Sequence, residues 1–255
     1  MPSASVLAAQ RRDGPRGSAP DKTLAILADP VFETTDPRVT APRPRANAAA
    51  PPSIARSALG RAGVARLPFS REEAEGIAAL VPRGDTLKAM DFDATRERAL
   101  GSALSGYRIV HFATHGVVDL ERPALSGLVF SLVDPNGRFR NGYLRLHDIY
   151  GLQLNAELVV LSACETALGK QIEGEGLVGL ARAFMYAGAP RVVASLWEVN
   201  DLATAELMKR FYRGLLQENL RPAAALHQAQ KQMQADPRWR DPFYWAGFTV
   251  VGDWR

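Results

Sequence analysis

Two reactive side chains stand at the ends of apolar runs. Ile109-Val110-His111-Phe112-Ala113-Thr114 leads into His115-Gly116, and Leu158-Val159-Val160-Leu161-Ser162-Ala163 leads into Cys164-Glu165. A free thiol has a pKa of about 8.5 and is only a few per cent thiolate near neutral pH, so an adjacent imidazole that takes its proton makes it a far better nucleophile. Side by side, the two groups would carry out acyl transfer, with His115 as general base and Cys164 as nucleophile. Backbone N–H groups at Gly116 and Cys164 would then hold the developing oxyanion, a contribution of ~3 kcal/mol per donor. Residue types alone leave a second reading open. Unpaired cysteine is among the most buried residue types, and a core thiol near a hydrogen-bonded histidine gives the same pattern.

The other candidates point to structure. Cys164 is the single cysteine of the chain, which excludes an internal disulfide and any zinc site built on two or more thiolates. His111 precedes His115 by four residues, on the same pleat face but ~13 Å back along the strand, where a hydrogen-bonded core histidine is expected. His147 and His227 fall on helical segments, and no carboxylates cluster with the four histidines, so no metal site is expected. Gly174-Glu175-Gly176-Leu177-Val178-Gly179 matches the dinucleotide fingerprint. That fingerprint needs its first glycine directly at a strand end, yet about ten residues separate Cys164 from Gly174 and Glu175 would face the pyrophosphate. The glycines read as a loop entering a helix, and no cofactor is expected.

The elements around these residues alternate. Short β-branched runs at Arg108–Ala113, Leu158–Ala163 and Arg191–Leu196 predict strands, and Leu177–Tyr186 and Asp201–Gln217 predict helices. Strands that are apolar nearly throughout and separated by helices argue for a mostly parallel sheet covered on both faces. In such a sheet the loops at the carboxyl edge converge on one crevice, which is where His115 and Cys164 stand. Gly127–Val133 and Tyr143–Leu146, separated by Asp134-Pro135-Asn136-Gly137, predict an inserted β-hairpin. Leu24–Ala28 and Phe248–Val251 predict further strands. Ser70 and Glu73 have capping-box spacing at the start of a helix reaching Val81, and a second helix is expected over Ala94–Leu104.

The 255 residues are 47% hydrophobic, enough for one sizeable core, and no window of about 18 apolar residues suggests a membrane span. Nor does the amino terminus carry the apolar core of a secretory signal, so a cytoplasmic protein is expected. The formal charge of +4 is concentrated in early arginines, Arg11, Arg12, Arg16, Arg38, Arg43 and Arg45, without interleaved aromatics. That is a basic tail, not a nucleic-acid face. Residues 1–22 read as a disordered or remnant segment. The domain then runs over 23–255, with a loop rich in Pro, Ala and Arg at 34–57.

Several motifs in order resemble the CHAT family, the caspase-like domains found with tetratricopeptide repeats and related to caspases and separase. They are His111-Phe112-Ala113-Thr114-His115-Gly116, Val160-Leu161-Ser162-Ala163-Cys164-Glu165-Thr166-Ala167-Leu168-Gly169, the stretch Gly174 to Phe184, Ala194-Ser195-Leu196-Trp197-Glu198-Val199-Asn200-Asp201, Phe211-Tyr212, Tyr244-Trp245-Ala246-Gly247-Phe248 and Gly252-Asp253-Trp254. The resemblance implies a caspase-like three-layer sandwich, with a mostly parallel central sheet flanked by helices and an inserted β-hairpin. It implies a cysteine endopeptidase with His115 and Cys164 as its dyad, acting on a protein substrate and regulated by repeats or another partner, in bacterial defence or signalling. A pocket for the residue before the cut would lie near Trp197, Glu198 and Asp201, although Asp201 also has the position of a cap for the helix that follows. A caspase-like module kept for interaction alone is the alternative.

Overall fold

Leu24, Ile26 and Ala28 bury one face of β1 (Lys22–Pro30), and Ala25 and Leu27 bury the other. A strand apolar on both faces belongs between two covering layers. The computed structural model provides them, and it describes residues 19–40, 64–119, 122–162, 164–168, 176–197 and 199–253. The main sheet has six strands in the order β10 (Phe248–Gly252), β9 (Arg191–Ser195), β7 (Leu158–Leu161), β3 (Tyr107–Ala113), β1 and β2 (Thr86–Asp91). All pairs are parallel except β10 with β9.

Helices α1 (Pro68–Ala78), α5 (Asp201–Leu216) and α6 (Pro222–Ala235) supply Ile77, Phe211 and Met233 to one core cluster, with Ile26, Val160 and Val193 from the sheet. Helices α2 (Arg96–Leu100), α3 (Leu146–Tyr150) and α4 (Gly176–Tyr186) supply Ala99, Ile149 and Phe184 to the other, with Leu27, Phe112 and Leu161. This is the expected three-layer α/β arrangement. The turn from α4 into β9 depends on Gly188, whose φ is +119° and whose added Cβ would lie 2.1 Å from the Leu154 carbonyl oxygen. No helix among the described residues is long and apolar enough to cross a membrane.

A second, four-stranded sheet has the order β6 (Tyr143–Arg145), β5 (Gly127–Val129), β4 (His115–Asp119) and β8 (Cys164–Leu168). Here β4 and β8 are parallel and the other pairs antiparallel. The predicted hairpin is β5 with β6. Its connection turns at Gly137 (φ 73°), with the Asp134 carboxylate accepting from the N–H groups of Asn136 and Arg138.

Four local expectations change. The first helix starts at Pro68, which suits N1 because it has no N–H to satisfy, and Ser70 donates to the Leu67 carbonyl instead of capping. Glu73 is therefore not a capping-box partner but a buried carboxylate, 1% exposed. Over Ala94–Leu104 the chain forms only the five-residue α2, capped by Thr95, and a 3₁₀ turn at Ser102–Gly106 after Gly101. Strand β2, absent from the sequence reading, has a largely half-exposed sequence because it lies at the sheet edge, with Lys88 turned to solvent. Lastly, the chain does not leave the sheet region in a loop at His115: β3 stops at Ala113, Thr114 bends, and a further strand, β4, begins at His115 with Gly116 inside it.

Candidate active site

His115 and Cys164 each open a strand of the second sheet, where they are direct register partners across the parallel pair β4–β8. Neighbouring strands lie ~4.8 Å apart, so the fold brings the two backbones within one strand spacing although 49 positions separate them in sequence. Gly116 is the next register position, opposite Glu165 and, on its other side, Leu128. The Thr114 hydroxyl fixes the step between the sheets by donating to the Val129 carbonyl.

The His115 ring is 5% exposed and is held by a contact from far upstream: Nε2 lies 2.7 Å from the Ala65 carbonyl oxygen. A carbonyl only accepts, so Nε2 carries the hydrogen and the lone pair of the neutral ring resides on Nδ1. Phe32 packs beside the ring at 5.3 Å between centroids, with 59° between the planes. Sequence reading missed both partners. A main-chain acceptor has no residue-type signature, and Phe32 follows a strand end that gave no chemical reason to single it out.

Ala65 belongs to a short segment, Val64 to Leu67, that enters α1. Val64 is buried in a small cluster with Phe32, Val117, Val129 and Tyr143. Arg66 forks onto Asp29, with Nε to Oδ1 and Nη2 to Oδ2 both 2.8 Å. Asp29 is 1% exposed, is the penultimate residue of β1 in a left-handed conformation (φ 47°), and also receives Arg71 at 2.8 Å and Arg38 at 3.1 Å. Arg38 and Arg71 both reach Asp91 as well, and Arg38 pairs with Asp36 at 2.7 Å. Burial pushes the Asp91 carboxyl up, but hydrogen bonds from Arg71 and Arg38 outweigh it and hold its pKa below the usual range. β1 pairs with β3 up to Ala28 opposite Ala113, so Asp29 had to emerge on the same edge as His115.

Trp197 and Asp201 are placed by the structure, while Glu198 lies outside the described residues. Trp197 packs against Gly247 and donates from Nε1 to the Phe243 carbonyl at 3.4 Å. Asp201 opens α5, but Asn200 is the cap of that helix, its side chain accepting from the Ala203 N–H at 3.0 Å. The Asp201 carboxylate instead accepts from the Phe69 N–H at 2.9 Å, in the first turn of α1, four residues after Ala65. Burial raises its pKa to about 6, partly offset by that bond. The expectation that Asp201 caps its own helix is thus corrected to a cap given across to α1.

His111 is the core histidine. It is fully buried, with Nδ1 3.0 Å from the Tyr212 hydroxyl and Nε2 2.9 Å from Glu73 Oε1, the latter a close polar contact bent away from ideal hydrogen-bond geometry. His147 is exposed beside Asp148, and His227 is exposed on α6. The glycine-rich motif begins in residues outside the description and continues into α4, with Gly176 and Gly179 inside the helix. Among the described residues no group of three His, Cys, Asp or Glu side chains could hold a metal ion.

The chain and its fold resemble known proteins. A family model for the CHAT domain matches residues 1–253. Tetratricopeptide repeat protein 28 of Mus musculus is 32% identical over 215 residues, covering 73% of this chain, and that of Homo sapiens is 31% identical over 188 residues, covering 62%. The chain spans 8% of the length of either relative. Among solved structures, the Arg specific cysteine proteinase gingipain R matches with a TM-score of 0.52 at 13% identity, covering 100% of this chain and 53% of that one. The complex of Porphyromonas gingivalis RgpB pro- and mature domains matches with a TM-score of 0.50, also at 13% identity, covering 91% of this chain and 47% of that one. At this identity the likeness is one of fold, and the fold is that of caspase-like cysteine proteinases.

Proposed function

From the premise that this chain belongs to the CHAT domain family, we propose that it is a cysteine peptidase in which Cys164 is the nucleophile and His115 the general base. The observation that carries the reading is the register partnership of His115 and Cys164 across β4 and β8. The Ala65 carbonyl adds support, because it fixes the tautomer that leaves Nδ1 able to take a proton. In the proposed reaction the thiol proton passes to Nδ1 and the thiolate attacks the peptide carbonyl carbon. The tetrahedral intermediate collapses as the imidazolium protonates the leaving amine, and water then hydrolyses the thioester. The amides of Gly116 and Cys164 are the proposed oxyanion donors, as the sequence pattern suggests.

The substrate is proposed to be a protein, with regulation by tetratricopeptide repeats or another partner and with the cytoplasm as location. The pocket for the residue before the cut is proposed on the loop after β9, around Trp197, Glu198 and Asp201. Its acidic side chains, together with a fold shared with an Arg specific proteinase, make basic residues the first class to try. A second reading, a non-catalytic interaction module, draws support from Tyr150 and Tyr186, which are 42% and 69% exposed and stack edge to face at 5.4 Å. Incubating wild type and Cys164→Ala with a proteome-derived peptide library and sequencing new amino termini separates the two. Termini made only by wild type support the peptidase. Termini that persist in Cys164→Ala rule out the proposed nucleophile.

A further inference from the structure

Building on that reading of His115, we propose that Arg66, clamped on Asp29, is a positioning residue that sets the orientation and tautomer of the His115 ring. The acceptor for Nε2 is the carbonyl of the Ala65–Arg66 peptide unit. That unit is planar, so whatever fixes Arg66 fixes the direction of the Ala65 carbonyl. Arg66 is fixed by a two-pronged contact with a carboxylate, the geometry in which a guanidinium loses least freedom per bond and tolerates least rotation. Asp29 is in turn the most constrained acidic group of this edge. It is buried, held at φ 47° where non-glycine residues are uncommon, and braced by Arg38 and Arg71.

The neighbouring anchors bracket the same peptide. Val64 is packed in its cluster on one side, and Phe69 donates to Asp201 on the other. Arg66 is the side chain that ties the stretch between them to the end of β1, next to the strand leading to His115. Without it, the Ala65 carbonyl is free to turn, the ring loses its acceptor, and Nε2–H is no longer the enforced tautomer.

The charges allow the experiment. Asp29 keeps Arg38 and Arg71 when Arg66 is replaced, so no buried carboxylate is left without a cation. Arg66 itself has a side chain 35% exposed, and replacing it opens no core cavity. The charged groups facing the clamp are Arg38 and Asp36 from the segment after β1, Asp91 from the end of β2, Arg71 and Glu75 from α1, and Asp201 from α5. All of them stay in place in an Arg66 variant.

The test uses the full chain as wild type, Arg66→Gln, Arg66→Lys and His115→Ala. The rate of Cys164 alkylation by iodoacetamide is followed from pH 5 to 9, and the tautomer of His115 is read from its ring ¹⁵N shifts. The expected result for Arg66→Gln is a rate below pH 7 reduced by about ten-fold, part of what a positioned base contributes. Its profile moves toward the free-thiol value of about 8.5, and its neutral His115 is a mixture of tautomers. Arg66→Lys, which keeps the charge but not the fork, falls between the two. If His115→Ala shifts the profile while Arg66→Gln overlays wild type and keeps the Nε2–H tautomer, Arg66 does not position the ring and the inference is wrong. If His115→Ala itself overlays wild type, the dyad reading fails, and the ring ¹⁵N shifts alone then decide whether Arg66 holds the ring. The ¹⁵N measurement is independent of Cys164, so it decides the Arg66 question even in a chain whose thiol reacts slowly.

Discussion

Removing the Glu73 carboxylate tests how the interior beneath the site is held. Glu73 on α1 and His111 on β3 approach to 2.9 Å with side chains 1% and 0% exposed, and the Tyr212 hydroxyl from α5 closes the group on the other ring nitrogen. Breaking a buried pair by deleting one partner costs about 3–5 kcal/mol, because the partner stays desolvated and uncompensated. The contact is bent, which places Glu73→Ala at the lower end, ~3 kcal/mol. At about 2–4 °C per kcal/mol for a chain of this size, the melting temperature should fall by about 6–12 °C. The assay is thermal unfolding followed by far-UV circular dichroism. A double-mutant cycle of Glu73→Leu and His111→Leu isolates the pair, and the Glu73→Leu/His111→Leu chain should recover most of the loss, as apolar replacements of buried pairs do. A loss under ~1 kcal/mol for Glu73→Ala, or strict additivity in the cycle, would refute the reasoning.

Two further outcomes follow from the helix ends around the site. Asn200→Ala removes the side-chain acceptor for the Ala203 N–H and should cost about 1 kcal/mol, measured by urea denaturation. Asp201 has a folded pKa of about 6 against an ordinary 3.8, so the folded state binds this proton more tightly than the unfolded chain does. The stabilisation from protonation is complete below about pH 4 and is lost as pH rises through about 6. Asp201→Asn keeps an acceptor for the Phe69 N–H but does not titrate, so between pH 4 and 6 its melting temperature should lose the part of the pH dependence that wild type owes to this group. Equal slopes for the two proteins would show that Asp201 is ionised and solvated like an ordinary surface carboxylate.

The parts of the site legible in the sequence are those in which one residue type carries the signal. His115 and Cys164 announce themselves by standing at the ends of apolar runs, and a covered parallel sheet forces such ends onto one edge. His111 was legible as a core residue from its pleat position alone. The contact that fixes His115 was not, because the Ala65 carbonyl is 50 positions away and any residue could supply it. Glu73 was misread for a related reason. Its spacing from Ser70 satisfies a capping box, and only the position of Pro68 at the true start of α1 turns it inward. The second sheet stayed hidden because β4 and β8 follow directly on β3 and β7, so each apolar run read as one strand ending in a loop.

The most direct test of the dyad labels the thiol itself. Wild type, His115→Ala and Cys164→Ala are treated with a thiol-directed peptidyl reagent from pH 5 to 9, and the adduct is quantified by mass spectrometry. The account predicts that wild type labels well below the free-thiol pKa of about 8.5, that His115→Ala labels only as the pH approaches that value, and that Cys164→Ala does not label. Superimposable profiles for wild type and His115→Ala, or a Cys164 that reacts only after denaturation, would contradict it.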